Sequence, residues 1–159
     1  MAASLLEGGS RVLAVTPRRS PLRDLEGRPG VAGVLAGGAI QDSALHELVE
    51  AAEGPLAVCV DDVELIGDNP KVSDALQAIL RQARDRGHAL VVAGTTSELG
   101  GFRGLAYEVR KSRTGLLLWP ESGELLGMRL PKTAHAGGPA GRGLLVVDGG
   151  YTMTQVVLP

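Results

Sequence analysis

Gly54 to Ile66, GPLAVCVDDVELI, constrains this chain more than any other stretch. Its apolar run, Leu56-Ala57-Val58-Cys59-Val60, is too short for a helix of ordinary length and partly β-branched. Gly-Pro bounds it upstream, and it stops at two adjacent carboxylates, Asp61 and Asp62. A segment that is apolar on both faces must be covered on both, which predicts a buried strand of a parallel sheet. The acids then leave that strand at its carboxyl end, the edge where open α/β sheets bind ligands. Taken alone, an Asp pair in this position more commonly caps the loop or helix that follows, so its meaning depends on the rest of the chain.

The flanking segments alternate in kind. Met1–Glu7 reads as the last turns of a helix closed by Gly8-Gly9, and a helix so short is marginal alone, so the chain is expected to begin part-way through a larger unit. RVLAVT (11–16) is a short buried strand ended by Pro17, and PRRSPLRDLEGRPG (17–30) is surface loop with one helical turn. VAGVL (31–35) is a further strand. Asp42 or Ser43 caps a helix running to about Glu53, with Leu45, Leu48, Val49 and Ala52 on one face. After the central strand, Asn69-Pro70 is a cap followed by proline at the first helical position, opening a helix that ends at Arg86-Gly87. ALVVA (89–93) is the next buried strand and ends in Gly94-Thr95-Thr96-Ser97. Residues 101–113 read as a helix carrying Arg103, Arg110, Lys111 and Arg113, and TGLLLW (114–119) as a strand. Beyond a Pro/Gly-rich loop at 131–141, residues 144–148 and 151–158 flank Gly149-Gly150 as a hairpin. Strands alternating with helices of this length predict βαβ units and a mostly parallel, three-layer sheet.

Composition excludes several functions. Aromatic residues make up 3% of the 159, so the core must be Leu, Val, Ile and Ala, and no stacking platform for single-stranded nucleic acid can be built. A formal charge of −2 excludes a strongly basic domain. The arginines at 11, 18, 19, 23 and 28, and the basic residues at 103, 110, 111 and 113, are either phosphate contacts or solvated surface. Cys59 is the sole cysteine, which excludes a disulfide framework and a zinc set and points to a reducing compartment. His46, His88 and His135 lack metal-ligand spacing. No segment matches a membrane span or a secretory leader, so a soluble, cytoplasmic protein is expected.

An Asp-Asp strand, a capped helix, a strand ending in Thr-Thr, an Arg-bearing helix and a terminal hairpin, in that order, resemble the second part of an FtsK/SpoIIIE-type motor ATPase. The likeness is in particular to actinobacterial members, including the EccC-like ATPases of type VII secretion. SRTGLLLWPESGELLGMRLP (112–131) looks like the family's S-R-x-x-L-L…L-L-G block, and GRGLLVVDGGYTMTQVVLP (141–159) like its closing hairpin. RVLAVTPRRSPLRDL (11–25) resembles the strand that follows the P-loop helix. The resemblance implies a mostly parallel three-layer P-loop NTPase (RecA-like) sheet, incomplete at its N-terminal P-loop unit and finished by a C-terminal β-hairpin. It implies one partial ATPase domain over residues 1–159, with 1–120 as α/β core and 121–159 as extension and hairpin.

Carried onto this sequence, the resemblance gives Asp61 the Mg²⁺-associated Walker B position and Asp62 that of the catalytic acid. Many relatives have Glu at the second position, and Asp is one methylene shorter. Thr95 or Thr96 matches the polar sensor of the γ-phosphate. Arg103, Arg110 and Arg113 are candidates for contacting phosphate at a neighbouring subunit, with a solvent-facing charge as the plainer reading of each. One expected part is missing from these residues. There is no G-x-x-x-x-G-K-[ST], and none of Lys71, Lys111 and Lys132 follows a glycine-rich turn. ATP and Mg²⁺ are therefore expected for a complete domain, and weak ATP binding or none for this chain alone. The implied partners are other copies of the motor domain in a ring or homo-oligomer, DNA or a secreted protein as substrate, and an upstream P-loop segment or membrane anchor. Two other readings stand beside this one. The first is a non-catalytic interaction module that keeps the ATPase scaffold. The second is a phospho-accepting receiver-like domain, which the late position of the acids argues against.

Overall fold

The computed structural model describes residues 1–99, 104–118, 124–126, 128–130 and 139–156. Arg103, Trp119, the loop at 131–138 and the end of the last strand at 157–158 lie outside them. The chain divides into two compact units, Met1–Val109 and Arg110–Pro159.

In the first unit, β1 (Arg11–Thr16), β2 (Val31–Ala36), β3 (Leu56–Val60) and β4 (Ala89–Val92) form one parallel sheet in the order β2-β1-β3-β4. The predicted central strand is buried at all five positions, and its alternation divides two cores. Val58 and Val60 join Leu13 and Val15 against Leu45, Val49, Val72, Leu76 and Ile79, which come from α2 (Asp42–Glu50) and α4 (Pro70–Arg86). Ala57 and Cys59 face the other way, with Val12, towards Leu25 and the apolar side of α1 (Ala2–Glu7). The three-layer expectation therefore holds, with one layer thin: a six-residue helix and a 3-10 turn at Pro21–Leu25.

Local chemistry accounts for most boundaries. Asn69 Oδ1 accepts from Val72 N at 3.3 Å while its Nδ2 donates to Ile40 O at 3.1 Å, so one residue caps α4 and anchors the loop before α2. Gly87, at φ 69°, closes α4 in the left-handed conformation open to glycine. α2 differs from expectation. Gln41 occupies the cap without a side-chain bond, Asp42 is already helical, and the helix stops at Glu50 instead of about Glu53. Two short helices were not foreseen, α3 (Val63–Ile66) directly after the acids and α5 (Thr96–Leu99) after β4. α6 spans Gly104–Arg110 and ends before the predicted residue 113, with Arg113 beyond it at φ 52°, and the predicted start at 101–103 lies outside the described residues.

In the second unit, β5 (Gly115–Leu118), β8 (Arg142–Val147) and β9 (Gly150–Gln155) form an antiparallel sheet, and β6 (Glu124–Leu125) pairs with β7 (Met128–Arg129). The TGLLLW strand thus pairs antiparallel with the terminal hairpin. The hairpin turns at Asp148-Gly149, one residue before the Gly-Gly pair read from sequence. Both residues have positive φ, 50° and 82°, as a two-residue turn of primed type requires. Leu117, Leu125, Leu126, Met128, Leu130, Leu144 and Val146 make a small separate core.

Candidate functional site

β1, β3 and β4 end side by side. Asp61 N donates to Val15 O at 3.0 Å, Ala93 N donates to Val60 O at 2.8 Å, and Val63 N donates to Ala93 O at 3.1 Å. This pairing carries the acids and the Gly94–Thr96 segment off neighbouring strands at one sheet edge, the carboxyl end predicted from the apolar run. Gly94 marks how closely the two exits approach. A Cβ there would lie 2.7 Å from Val63 Cγ1 and 2.9 Å from Glu64 Oε2, so only glycine passes α3 without displacement.

The two acids are held differently. Asp61 Oδ2 accepts from Ser20 Oγ at 2.7 Å, and Asp61 Oδ1 accepts from Asp62 N at 3.1 Å. Asp62 sits in the left-handed region, at φ 50° and ψ 53°, and this turns the chain straight from β3 into α3. Although Asp62 occupies the cap position of that helix, its side chain makes no capping bond. Its carboxylate instead faces Arg18 Nε at 4.0 Å, with the arginine side chain 58% exposed and the aspartate 27%. A pair that long and that wet is worth about 0–1 kcal/mol, so the Asp62 carboxylate is only loosely held.

Among the other predicted residues, Thr95 and Thr96 share the acids' edge. Thr95 Oγ1 lies 3.0 Å from Ser97 Oγ, and Thr96 begins α5, which packs against α3. Arg110 ends α6, and both it and Arg113 belong to the second unit, where the Arg113 guanidinium crowds Gly149 in the hairpin turn. Arg103 falls outside the described residues.

Three residues at the site were not singled out from sequence. Ser20 is 7% exposed and bonds Asp61 across 41 positions. The Ser-Pro pair at 20–21 signals a turn, and Ser20 does accept from Leu22 N at 3.2 Å, but nothing local names its distant partner. Arg18 was read only as one of a cluster. Glu64 has a buried Oε2 with no hydrogen-bond partner, an arrangement that costs about 1–3 kcal/mol until a donor is supplied.

A pocket of about 180 Å³ lies at the opposite end of the strands, lined by His46, Glu50, Ile79, Gln82, Arg86 and His88. Arg86 Nη1 donates to Glu50 Oε1 at 2.5 Å and holds that carboxyl below its usual range, while Leu56 N donates to His88 Nδ1 at 3.2 Å. These contacts join helix ends and strand starts to one another and leave the acid edge as the candidate site. No group of three or more His, Cys, Asp or Glu among the described residues could enclose a metal.

No family model matches the sequence, and no curated protein matches it. Solved structures do. Thermomonospora curvata EccC (ATPases 2 and 3), in complex with a signal sequence peptide, is similar at 18% identity and TM-score 0.68, over 94% of this chain and 31% of that one. The chain shares its fold. The cytoplasmic domain of EssC matches at 19% identity and TM-score 0.68 over 92% of this chain and 33% of that one. The cytoplasmic domain of the T. curvata type VII secretion ATPase EccC matches at 20% identity and TM-score 0.68, over 94% and 20%. The chain thus spans a third or less of the structures it matches. Likeness over nearly its whole length gives it the α/β architecture of the matched part of those structures, a parallel four-stranded sheet with helices, and the chain also carries a C-terminal antiparallel hairpin. No helix among the described residues is long and apolar enough to cross a membrane.

Proposed function

We propose that this chain is the acid-bearing part of an FtsK/SpoIIIE-like motor ATPase, related to the type VII secretion ATPases, whose phosphate cradle is supplied by another segment or chain. One observation carries the reading. Two consecutive carboxylates stand at the carboxyl tip of the central parallel strand, and the second is neither buried nor spent on capping the helix it begins.

The donor set fits Mg²⁺ in one mode only. Each Asp61 oxygen accepts a single hydrogen bond and keeps a lone pair, which suits a hydrated ion that takes one protein carboxylate and completes its shell with nucleotide phosphates and water. Bound there, Mg²⁺ would neutralise charge developing on the phosphate oxygens. The chain's own groups then divide the work. Asp61 anchors, Asp62 accepts a hydrogen bond from the attacking water, and the Thr95 and Thr96 hydroxyls donate to the terminal phosphate. Arg110 and Arg113 reach a phosphate on a neighbouring subunit. The moved substrate is DNA or a secreted protein, and the signal peptide in the EccC complex favours a secreted protein.

Most phosphate contacts in this reading belong to a loop absent from these residues. A calorimetric titration of residues 1–159 with Mg-ATP is therefore expected to give at most millimolar affinity and no turnover. Micromolar binding with hydrolysis would overturn the assignment of the cradle to another segment.

A non-catalytic interaction module is the second reading. It is favoured by the exposed Leu118, Leu145, Val147, Tyr151 and Met153 of the β5-β8-β9 sheet, an apolar content that β9 does not guard with any charge. Sedimentation distinguishes it, since a strictly monomeric chain at high concentration would count against it.

A further inference from the structure

The described residues contain three buried polar side chains, Thr16, Ser20 and Ser73, and two of these lie in the short passage that leads from β1 past the acid pair. Thr16 Oγ1 donates to Arg18 O at 2.9 Å and braces that passage where it leaves the sheet. Ser20 Oγ then accepts from Leu22 N, which caps the 3-10 turn, and spends its one hydrogen on Asp61 Oδ2. A serine hydroxyl has a single donor. Here it goes to a carboxylate 41 residues away, at 2.7 Å, the length of a charge-assisted bond.

We propose that Ser20 is a positioning residue that fixes the orientation in which Asp61 meets a nucleotide-bound divalent cation. The inference rests on the nucleotide reading above. Asp61 Oδ1 is tethered by the neighbouring Asp62 N–H, and that contact alone survives a half-turn about the terminal bond, which exchanges the two oxygens. Ser20 supplies the second tether, on the other oxygen, from a different element. With both in place the remaining lone pairs point in set directions, so a cation meets an ordered ligand. The consequence is that the passage between β1 and the 3-10 turn senses whether Asp61 is engaged.

The test must separate this role from capping. Glycine at a cap position costs only a few tenths of a kcal/mol, yet it removes the hydroxyl entirely. Nitrogen-15-labelled chain is titrated with Mn²⁺ at fixed millimolar ATP, and paramagnetic broadening of the Asp62 and Val63 amides is followed alongside the shifts of Leu22–Leu25. Ser20→Gly and Ser20→Ala are expected to need about three- to tenfold more Mn-ATP for the same broadening, the range of one typical net hydrogen bond. In Ser20→Gly the Leu22 amide shifts as it loses its acceptor, while the amides of Arg23–Leu25 stay where they are. Asp61→Asn should abolish the broadening.

If both Ser20 variants broaden like the unsubstituted chain while Asp61→Asn does not, Ser20 is only a cap and the inference is overturned, with the nucleotide reading intact. If Mn-ATP broadens other amides of the unsubstituted chain and leaves these untouched, the acid edge is not the cation site, and the nucleotide reading falls and takes the inference with it.

Discussion

Asp62 offers a test in which a sign, and not just a size, decides the outcome. Its φ of 50° and ψ of 53° place a non-glycine residue in the left-handed region, where the Cβ crowds the following carbonyl at a cost of about 1–2 kcal/mol for most residues and less for Asp. Replacing Asp62 by Gly relieves that crowding. Against the relief stand the greater freedom of glycine in the unfolded chain, about 0.4–1 kcal/mol, and the lost contact with Arg18 at 4.0 Å, about 0–1 kcal/mol. The terms nearly cancel, so Asp62→Gly should unfold within about 0.5 kcal/mol of the unsubstituted chain. Asp62→Ala also loses the Arg18 contact and keeps the crowding of about 1–2 kcal/mol, and after the greater freedom of unfolded glycine, about 0.4–1 kcal/mol, is set against it, the alanine variant should lie about 0.8 kcal/mol below the glycine variant. With ordinary backbone angles the order reverses, alanine being better than glycine by about 0.5–1 kcal/mol. Urea unfolding followed by far-ultraviolet circular dichroism measures both variants. If Asp62→Ala proves more stable than Asp62→Gly, residue 62 is not left-handed, and the aim of its carboxylate is wrong.

Gly94→Ala places a methyl group within 2.7 Å of Val63 Cγ1 and should cost about 1–3 kcal/mol in the same assay, whereas alanine at the open Gly38 should cost far less. Gly149→Ala puts a side chain into a left-handed turn position already crowded by the Arg113 guanidinium. It should destabilise the hairpin, read as faster amide exchange across β8 and β9. Burial pushes the Cys59 thiol up, so its contribution to stability is whole below the ordinary thiol range and lost as pH rises through the higher folded value. Unfolding free energy should therefore decline as pH rises above the ordinary thiol range, about 8.5, and Cys59→Ala should flatten that decline; an unchanged slope would contradict it.

The first unit was largely legible because its signals are local. LAVCV declared a strand covered on both faces, Asn69-Pro70 and Arg86-Gly87 bracketed α4 to the residue, and the late segments suggested a family whose solved relatives share the fold. Where expectation missed, the cause was structure beyond the reach of periodicity. α3 and α5 are four residues each, too short for a helical repeat to show, and both begin directly at strand exits. TGLLLW was rightly read as a strand, but an apolar run does not state whether its neighbour is parallel or antiparallel.

The sequence by itself determined that two acids end a buried strand and that no phosphate-binding loop of the lysine type lies within these residues, since both are matters of residue order. Only the tertiary structure decided how those acids are held. Ser20 meets Asp61 because β1 and β3 are adjacent in register, and the Asp62 carboxylate escapes capping because its own backbone turns left-handed. Contacts between residues distant along the chain follow from strand pairing, which short-range pattern can require but cannot assign.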